Sequence, residues 1–476
     1  MTAVAVRTRF SPSPTGMIHL GNARAALFSA LCAKKNHGSF ILRIEDTDVA
    51  RSDERYVSSL LADLQWLDIH WQEGPGVEGA FGPYWQSQRQ AIYAKYYETL
   101  EIKKLIYPCF CTDQELLLAR KVQLSRGQAP RYAGTCRKLS KEQIDERLAR
   151  GVPAAWRFIV PDDITIQFDD LVKGTQQFQS KDIGDFIVRR ADSTAPFLFC
   201  NAIDDALMQI SHVLRGEDHL ANTPRQILLL QTLNLPIPQY GHLSLIVGDD
   251  GAPLSKRHGS FSLHEMRMQG YLPVAIINYL ARLGHYCDSQ ALLNFPHLAQ
   301  HFDMTRLSRS SARFDVVQLN FWQKAALQAL DTASVAEWLG ETILNQVPHT
   351  MQTRFIEIIK HNITFPHEGA LWAQIFFQDN VEMDEEGRAM IQGAGAPFFV
   401  TAERAIDQHG IQLAQVLADM KQQLGVNGKQ LFMPLRVALT GKTHGPELVT
   451  IAELLGQEKM KQRLREAEKM VVGVVE

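Results

Sequence analysis

Cysteine is scarce in this chain: six residues in 476, two of them as a Cys109-x-Cys111 pair, too few and too scattered for a disulfide framework. No apolar run approaches the roughly 20 residues that span a bilayer. The opening MTAVAVRTRF lacks the apolar centre of a secretory signal, so a cytoplasmic protein without membrane contact is expected. An excess of one charge is missing too. A net charge of −3 excludes nucleic-acid binding driven by the whole-molecule field, and leaves any such role to local basic patches such as residues 120–137. The loop at 9–24 holds neither GxxxxGK[ST] nor GxGxxG, which excludes the two common phosphate loops there. No internal repeat or low-complexity tract stands out. What remains, 45% hydrophobic and 21% charged residues, is ordinary globular composition, long enough for roughly three domains.

The stretch 9–24, RFSPSPTGMIHLGNAR, reads as a strand end, a loop and a helix start. Pro12, Pro14 and Gly16 forbid ladder and helix, and from Ala23 small and apolar residues recur at helical spacing, with Gly38 as a stop. A strand feeding a loop and then a helix amino end presents free N–H groups and a positive dipole end to phosphate. His19 and Gly21 stand at that mouth, where imidazole donates to phosphate oxygens and glycine lets a nucleotide lie against the backbone. An isolated His-x-Gly is equally an ordinary turn.

A second strand, 39–44, runs into Glu45, Asp46 and Asp48, placing carboxylates where α/β sheets bind ligands. These acids read either as site residues or as a solvated turn capping the next helix, whose apolar face is Val57, Leu60, Leu61 and Leu64. From 106 to 196 the pattern changes to short helices and strands, including 156–160 and 186–189, an insertion between the halves of a nucleotide fold. The second half resumes near Phe197, with a helix over 202–208, a strand ending in RGED at 215–218, a helix over 223–233 and a strand over 242–247. A glycine- and cation-rich loop at 249–259 suits a flap that closes on phosphates, or a plain basic surface loop. Helical periodicity dominates after Asn320, as over 335–344, 371–377 and 431–439.

The pair HLGN at 19–22 and LSKR at 254–257 resembles the two hallmarks of class I aminoacyl-tRNA synthetases. The words RFSPSPTG, ILRIEDTD, LRGEDHLANTPRQ and LSKRHG, with LFMPLRVALTG near the carboxyl end, are similar to bacterial glutamyl-tRNA synthetases over the whole chain. The resemblance implies a multidomain α/β fold. A Rossmann-like parallel sheet occupies 1–105 and 197–250, an inserted α+β acceptor-end domain 106–196, and a flap and stem-contact segment 251–320. An all-α anticodon-binding domain fills 321–476. It further implies a cytoplasmic, monomeric ligase that makes glutamyl-adenylate from L-glutamate and Mg²⁺-bound ATP, then transfers glutamate to the tRNA 3′ end. Carried over by matching words, the amino-acid pocket is Arg9, Ser11, Glu45, Asn201 and Arg215, with Phe197 where a tyrosine is expected. The ATP set is His19, Gly21, Glu217 and Lys256, with Ser255 beside it. Two guanidiniums and one acid suit a substrate with two carboxylates and one ammonium.

Cys109, Cys111, Tyr132 and Cys136 resemble a small zinc knuckle found in this insertion, although Lys138 stands where its histidine is expected. Three reduced structural thiols are the other reading. Glutaminyl-tRNA synthetase, with an anticodon region of β-barrels, and a tRNA-binding paralogue without catalysis are the alternative functions.

Overall fold

The computed structural model describes residues 5–48, 52–254, 262–379 and 381–473. The chain divides into one unit of residues 1–268 with 273–319 and another of 269–272 with 320–476.

The first unit is built on parallel strands. Arg7–Phe10 pairs with Ser39–Leu42, Arg7 opposite Ser39 and Phe10 opposite Leu42. The helix Leu20–Lys35 joins them; its buried Ala23, Ala26, Ala30 and Ala33 let it lie close to the sheet, and Lys34 and Lys35 complement its negative end. Gly38 is required by close approach, because a Cβ there would sit 1.9 Å from the Val6 carbonyl oxygen. On the far side, the Ser211 amide donates to the Arg7 carbonyl at 2.9 Å, seating the strand His212–Gly216 beside the first. That strand pairs in parallel with Gln239–Leu243. The outer edge of Ser39–Leu42 is covered by residues 72–74, with the Leu42 amide donating to the Glu73 carbonyl at 2.9 Å. This is the doubly wound layout expected from the alternation of elements.

The insertion carries a three-stranded antiparallel sheet of Ile106–Cys109, Ala155–Phe158 and Phe186–Arg189 and a hairpin of Thr165–Asp170 and Gly174–Gln179. A capping box of Thr112 and Glu115 opens the helix Asp113–Ser125. The Leu171 amide donates to the Tyr240 carbonyl at 2.8 Å, tying the hairpin turn to the parallel sheet.

Three expectations shift. The helix expected over 202–208 runs Phe197–Leu207, because Pro196 in extended conformation caps it five residues earlier and Phe199 and Cys200 are buried on it. The strand expected over 242–247 is instead Gln239–Leu243 and Ile246–Val247, the latter paired with Ala312–Arg313. At the break, Arg24 takes the Ser244 carbonyl and Glu217 takes the Leu245 amide at 2.8 Å, so side chains satisfy what a ladder would have. Leu61 is half-exposed, while Val57, Leu60 and Leu64 are buried.

The second unit holds no strand among its described residues. The helix expected over 335–344 is split at Gly340, φ 81°, into Thr332–Leu339 and Glu341–Leu344. Leu371 to Phe377 falls within Pro366–Phe377, and 431–439 within Lys429–Thr440. Arg463, 1% exposed, donates to the carbonyls of Ile375, Gln378 and Leu439, so one cation serves the ends of two helices. Burial pushes its pKa down to about 10.

Candidate active site

The carboxyl ends of the parallel strands open onto a cavity of ≈ 610 Å³. Its floor comes from the first strand and following loop (Arg9, Ser11, Thr15), its mouth from the helix start (Gly21, Asn22), and its far wall from Asn201, Phe197 and Arg215. His19 precedes the helix without a side-chain cap on the first-turn amides, leaving those N–H groups for a ligand.

Beneath the floor lies a buried ionic lattice. Arg43, fully buried, donates from Nη1 to Asp205 at 2.8 Å and from Nη2 to Glu45 Oε1 at 3.1 Å. The Arg9 Nε also donates to Asp205, at 3.2 Å. Asp204 accepts from Arg89 at 2.6 Å, Tyr93 at 2.7 Å and Gln86 at 2.9 Å. Burial alone would raise the Asp205 pKa, but Arg9 and Arg43 outweigh it and hold the carboxyl low.

Above the lattice, four buried polar atoms of cavity-lining residues have no partner: Ser11 Oγ, Arg24 Nε, Glu45 Oε2 and Arg215 Nη1. The groups between Glu45 and Arg215 are chained by hydrogen bonds. Glu45 Oε1 accepts from Asn201 at 2.7 Å, Asn201 accepts from Gln226 at 2.9 Å, and Gln226 accepts from Arg215 Nη2 at 2.7 Å. A buried polar atom left unpaired costs about 1–3 kcal/mol, which a ligand with matching groups recovers. Burial raises the Glu45 pKa and lowers that of Arg215 to about 10, both strains against charge that an incoming cation and anion relieve. The site therefore suits a small molecule that carries both a cationic and an anionic group.

In the insertion, the Cys109, Cys111 and Cys136 sulfurs lie within 4.8 Å of one another. The Tyr132 hydroxyl is 3.4 Å from Cys109 Sγ and 3.6 Å from Cys111 Sγ, and the Cys111 and Cys136 sulfurs are 3.6 Å apart. Tetrahedral zinc holds sulfurs about 3.8 Å apart, so these four groups fit it. Burial pushes the Cys111 thiol up to about 12. The same burial penalty on Cys109 is overcome by Tyr132 and Arg157, which hold its pKa low. Lys138 is exposed.

Comparison with known proteins settles the family. Residues 5–321 match the family of tRNA synthetases class I (E and Q), catalytic domain, and residues 324–468 match an anticodon binding domain. A glutamate--tRNA ligase of Nitrosococcus oceani is 51% identical over 465 residues, covering 98% of each chain. One from Coxiella burnetii is 50% identical, covering 97% of this chain and 99% of the relative. The chain belongs to the glutamyl-tRNA synthetases. A solved glutamate-tRNA synthetase from Elizabethkingia anophelis superposes with TM-score 0.86 at 28% identity, covering 98% of this chain and 100% of that one. A ligase from Elizabethkingia meningosepticum, solved in complex with its amino acid, gives 0.85 at 28% identity over 98% and 99%. The helical anticodon domain and the identity of these relatives disfavour the glutaminyl alternative.

For a synthetase of this family, the structure brings Arg9, Ser11, Gly21, Glu45, Phe197, Asn201 and Arg215 around one cavity. His19 is exposed and bridges backbone to backbone with Ser262, outside the cavity lining. Glu217 is also outside the lining; it holds the Leu245 amide and pairs with Lys173, which lowers its pKa against the push of burial. Ser255 and Lys256 lie outside the described residues. Of the acidic cluster, Glu45 enters the cavity and Asp46 accepts from the Ser87 amide and hydroxyl, while the cap of the following helix is Asp53, outside that cluster. Sequence reasoning missed Arg24, Arg43, Asp204, Asp205, Gln226 and His242. It also missed His219, whose ring lies 5.2 Å from that of Phe197 and whose pKa burial and Arg215 push down to about 4. His219 and Gln226 stand inside the word LRGEDHLANTPRQ, which was the available signal.

Proposed function

We propose that the cavity binds L-glutamate for ATP-dependent ligation to tRNA, with Glu45 receiving the ammonium and Arg9 and Arg215 the two carboxylates. The observation that carries this reading is that the buried cavity atoms without partners include an acceptor on Glu45 and donors on Arg215 and Ser11. In the first step the substrate α-carboxylate attacks the α-phosphorus of ATP and pyrophosphate leaves. No protein nucleophile takes part, so the protein's work is positioning and charge stabilisation. The amino end of the helix Leu20–Lys35 and His19 serve the phosphates, Lys256 with Ser255 beside it clamps the leaving pyrophosphate, and Glu217 holds the cavity wall beside the nucleotide. Mg²⁺ arrives with ATP as part of that substrate. In the second step a ribose hydroxyl at the tRNA 3′ end attacks the activated carbonyl and AMP leaves.

The insertion receives the acceptor end, and zinc held by Cys109, Cys111, Tyr132 and Cys136 clips its fold. The second unit binds the anticodon. The protein works as a cytoplasmic monomer; no described helix is long and apolar enough to cross a membrane. Pyrophosphate exchange into ATP, measured with tRNA present, tests the reading. Exchange that depends on glutamate supports it, and exchange indifferent to glutamate overturns it.

A further inference from the structure

The guanidinium of Arg215, a residue that lines the cavity, is held at every nitrogen but one. Its Nη2 donates to Thr223 Oγ1 at 2.8 Å and to Gln226 Oε1 at 2.7 Å, its Nε approaches His242 Nε2 at 3.3 Å, and its Nη1 has no partner. The plane also lies over the Tyr240 ring, 5.2 Å from its centroid. An arginine Nε can only donate, so His242 Nε2 must accept. Thr223 Oγ1, 3.0 Å from the same nitrogen, then supplies its own proton to it. The imidazole proton therefore resides on Nδ1, which meets Asp170 Oδ2 at 2.5 Å. Asp170 itself cannot turn. Its other oxygen accepts the backbone amides of Val172 at 2.9 Å, Lys173 at 2.8 Å and His242 at 3.1 Å.

The geometry points to His242 and Asp170 as positioning residues for the amino-acid site: Asp170 fixes the tautomer of His242, and His242 thereby aims Arg215 Nη1 at a substrate carboxylate. Both groups are buried, His242 completely, so no water substitutes for either partner. Asp170 ends the strand Thr165–Asp170 of the inserted hairpin, so a residue of the insertion sets the orientation of a guanidinium in the nucleotide fold. Burial, then Arg215, lowers the His242 pKa while Asp170 raises it, and the balance is downward, in keeping with a neutral ring. The inference rests on the reading that Arg215 contacts substrate.

Asp170→Asn tests it. The new amide oxygen stays under the three backbone N–H groups, so the NH₂ takes the place of Oδ2 and faces Nδ1. The ring must then accept there and carry its proton on Nε2, pointing at a donor-only Arg215 Nε, the wrong-tautomer situation known from other buried Asp–His pairs. The glutamate KM in aminoacylation should rise about tenfold or more, with the ATP KM and kcat within about twofold. His242→Gln places an amide oxygen near the position of Nε2 and has no tautomer, so it should stay within about threefold of the parent. Asp170→Asn should add nothing on top of it, a non-additive cycle. A merely structural Asp170 would damage both backgrounds alike; that outcome, or an unchanged KM in the parent background, overturns the proposal. Should either variant unfold, His242→Asn keeps the donor to Asp170 and removes the acceptor for Arg215. A raised glutamate KM is then expected, and an unchanged one overturns the proposal. Arg215→Ala separates the two readings: if it leaves the glutamate KM unchanged, the pocket assignment itself is wrong.

Discussion

Replacing Glu45 by glutamine should abolish most glutamate binding without destabilising the protein. In the parent, Glu45 Oε1 accepts from Asn201 Nδ2 at 2.7 Å and from Arg43 Nη2 at 3.1 Å, while Oε2 has no partner. The glutamine oxygen would stay with those two donors and turn its NH₂ toward the cavity, where the substrate ammonium is expected. A charged acceptor becomes a donor facing a cation. Hydrogen bonds to charged groups are worth about 1.5–3 kcal/mol, so the glutamate KM should rise roughly 10- to 150-fold in aminoacylation at saturating ATP, with the ATP KM little changed. Stability should move the other way or not at all. The folded pKa of Glu45 lies above its unfolded value because burial penalises the anion, so this group's contribution falls as pH rises from the ordinary carboxylate range of about 4.3 through the raised folded value. At neutral pH the parent carries that penalty and the glutamine variant does not. Arg43 retains Asp205. Thermal melting of the ligand-free protein at pH 7 should show an equal or higher Tm for the variant. A lower Tm with an unchanged KM would refute the reasoning, because it would make Glu45 a structural ion-pair member and not a binding group.

Phe197→Tyr should be tolerated and lower the glutamate KM a few fold, since one added hydrogen bond at the cavity wall is worth about 0.5–1.5 kcal/mol; a strong rise would mean the wall around His219 is organised differently. Elemental analysis of protein purified without chelator should find one zinc per chain, lost on Cys109→Ser; metal-free parent protein would remove the site. Arg463→Met should destabilise the second unit by about 3 kcal/mol, because three carbonyls at helix ends lose a buried charged donor, and calorimetry should show the corresponding transition lowered. An unaltered transition would show that water replaces the guanidinium.

The loop from Arg9 to the start of the first helix was legible because prolines, a glycine and the onset of helical spacing are local signals. Glu45 was legible as one of several acids at a strand end, yet nothing local separated it from Asp46, whose partner Ser87 lies 41 positions along the chain. The lattice of Arg43, Asp204 and Asp205 was not legible. Its members look like ordinary polar positions until residues 43 and 205 meet, a contact across 162 positions. His242 was read only as part of a strand, because its role depends on Asp170 from the insertion and Arg215 from a neighbouring strand. The break at Ser244 and Leu245 was hidden for the same reason: Arg24 and Glu217 satisfy backbone groups that sequence pattern assigns to a ladder. Local chemistry, in short range, was readable; charges buried by tertiary contact were not.

The most direct measurement is charging of purified glutamate tRNA by the full chain, with radiolabelled glutamate and glutamine supplied in separate reactions with ATP. The two amino acids differ by the side-chain carboxylate, one of the two that Arg9 and Arg215 are proposed to receive. Formation of base-labile glutamyl-tRNA with AMP released in equal amount, and no product from glutamine, is the expected result. Charging with glutamine at a comparable rate, or tRNA binding with no charging by glutamate, would contradict it.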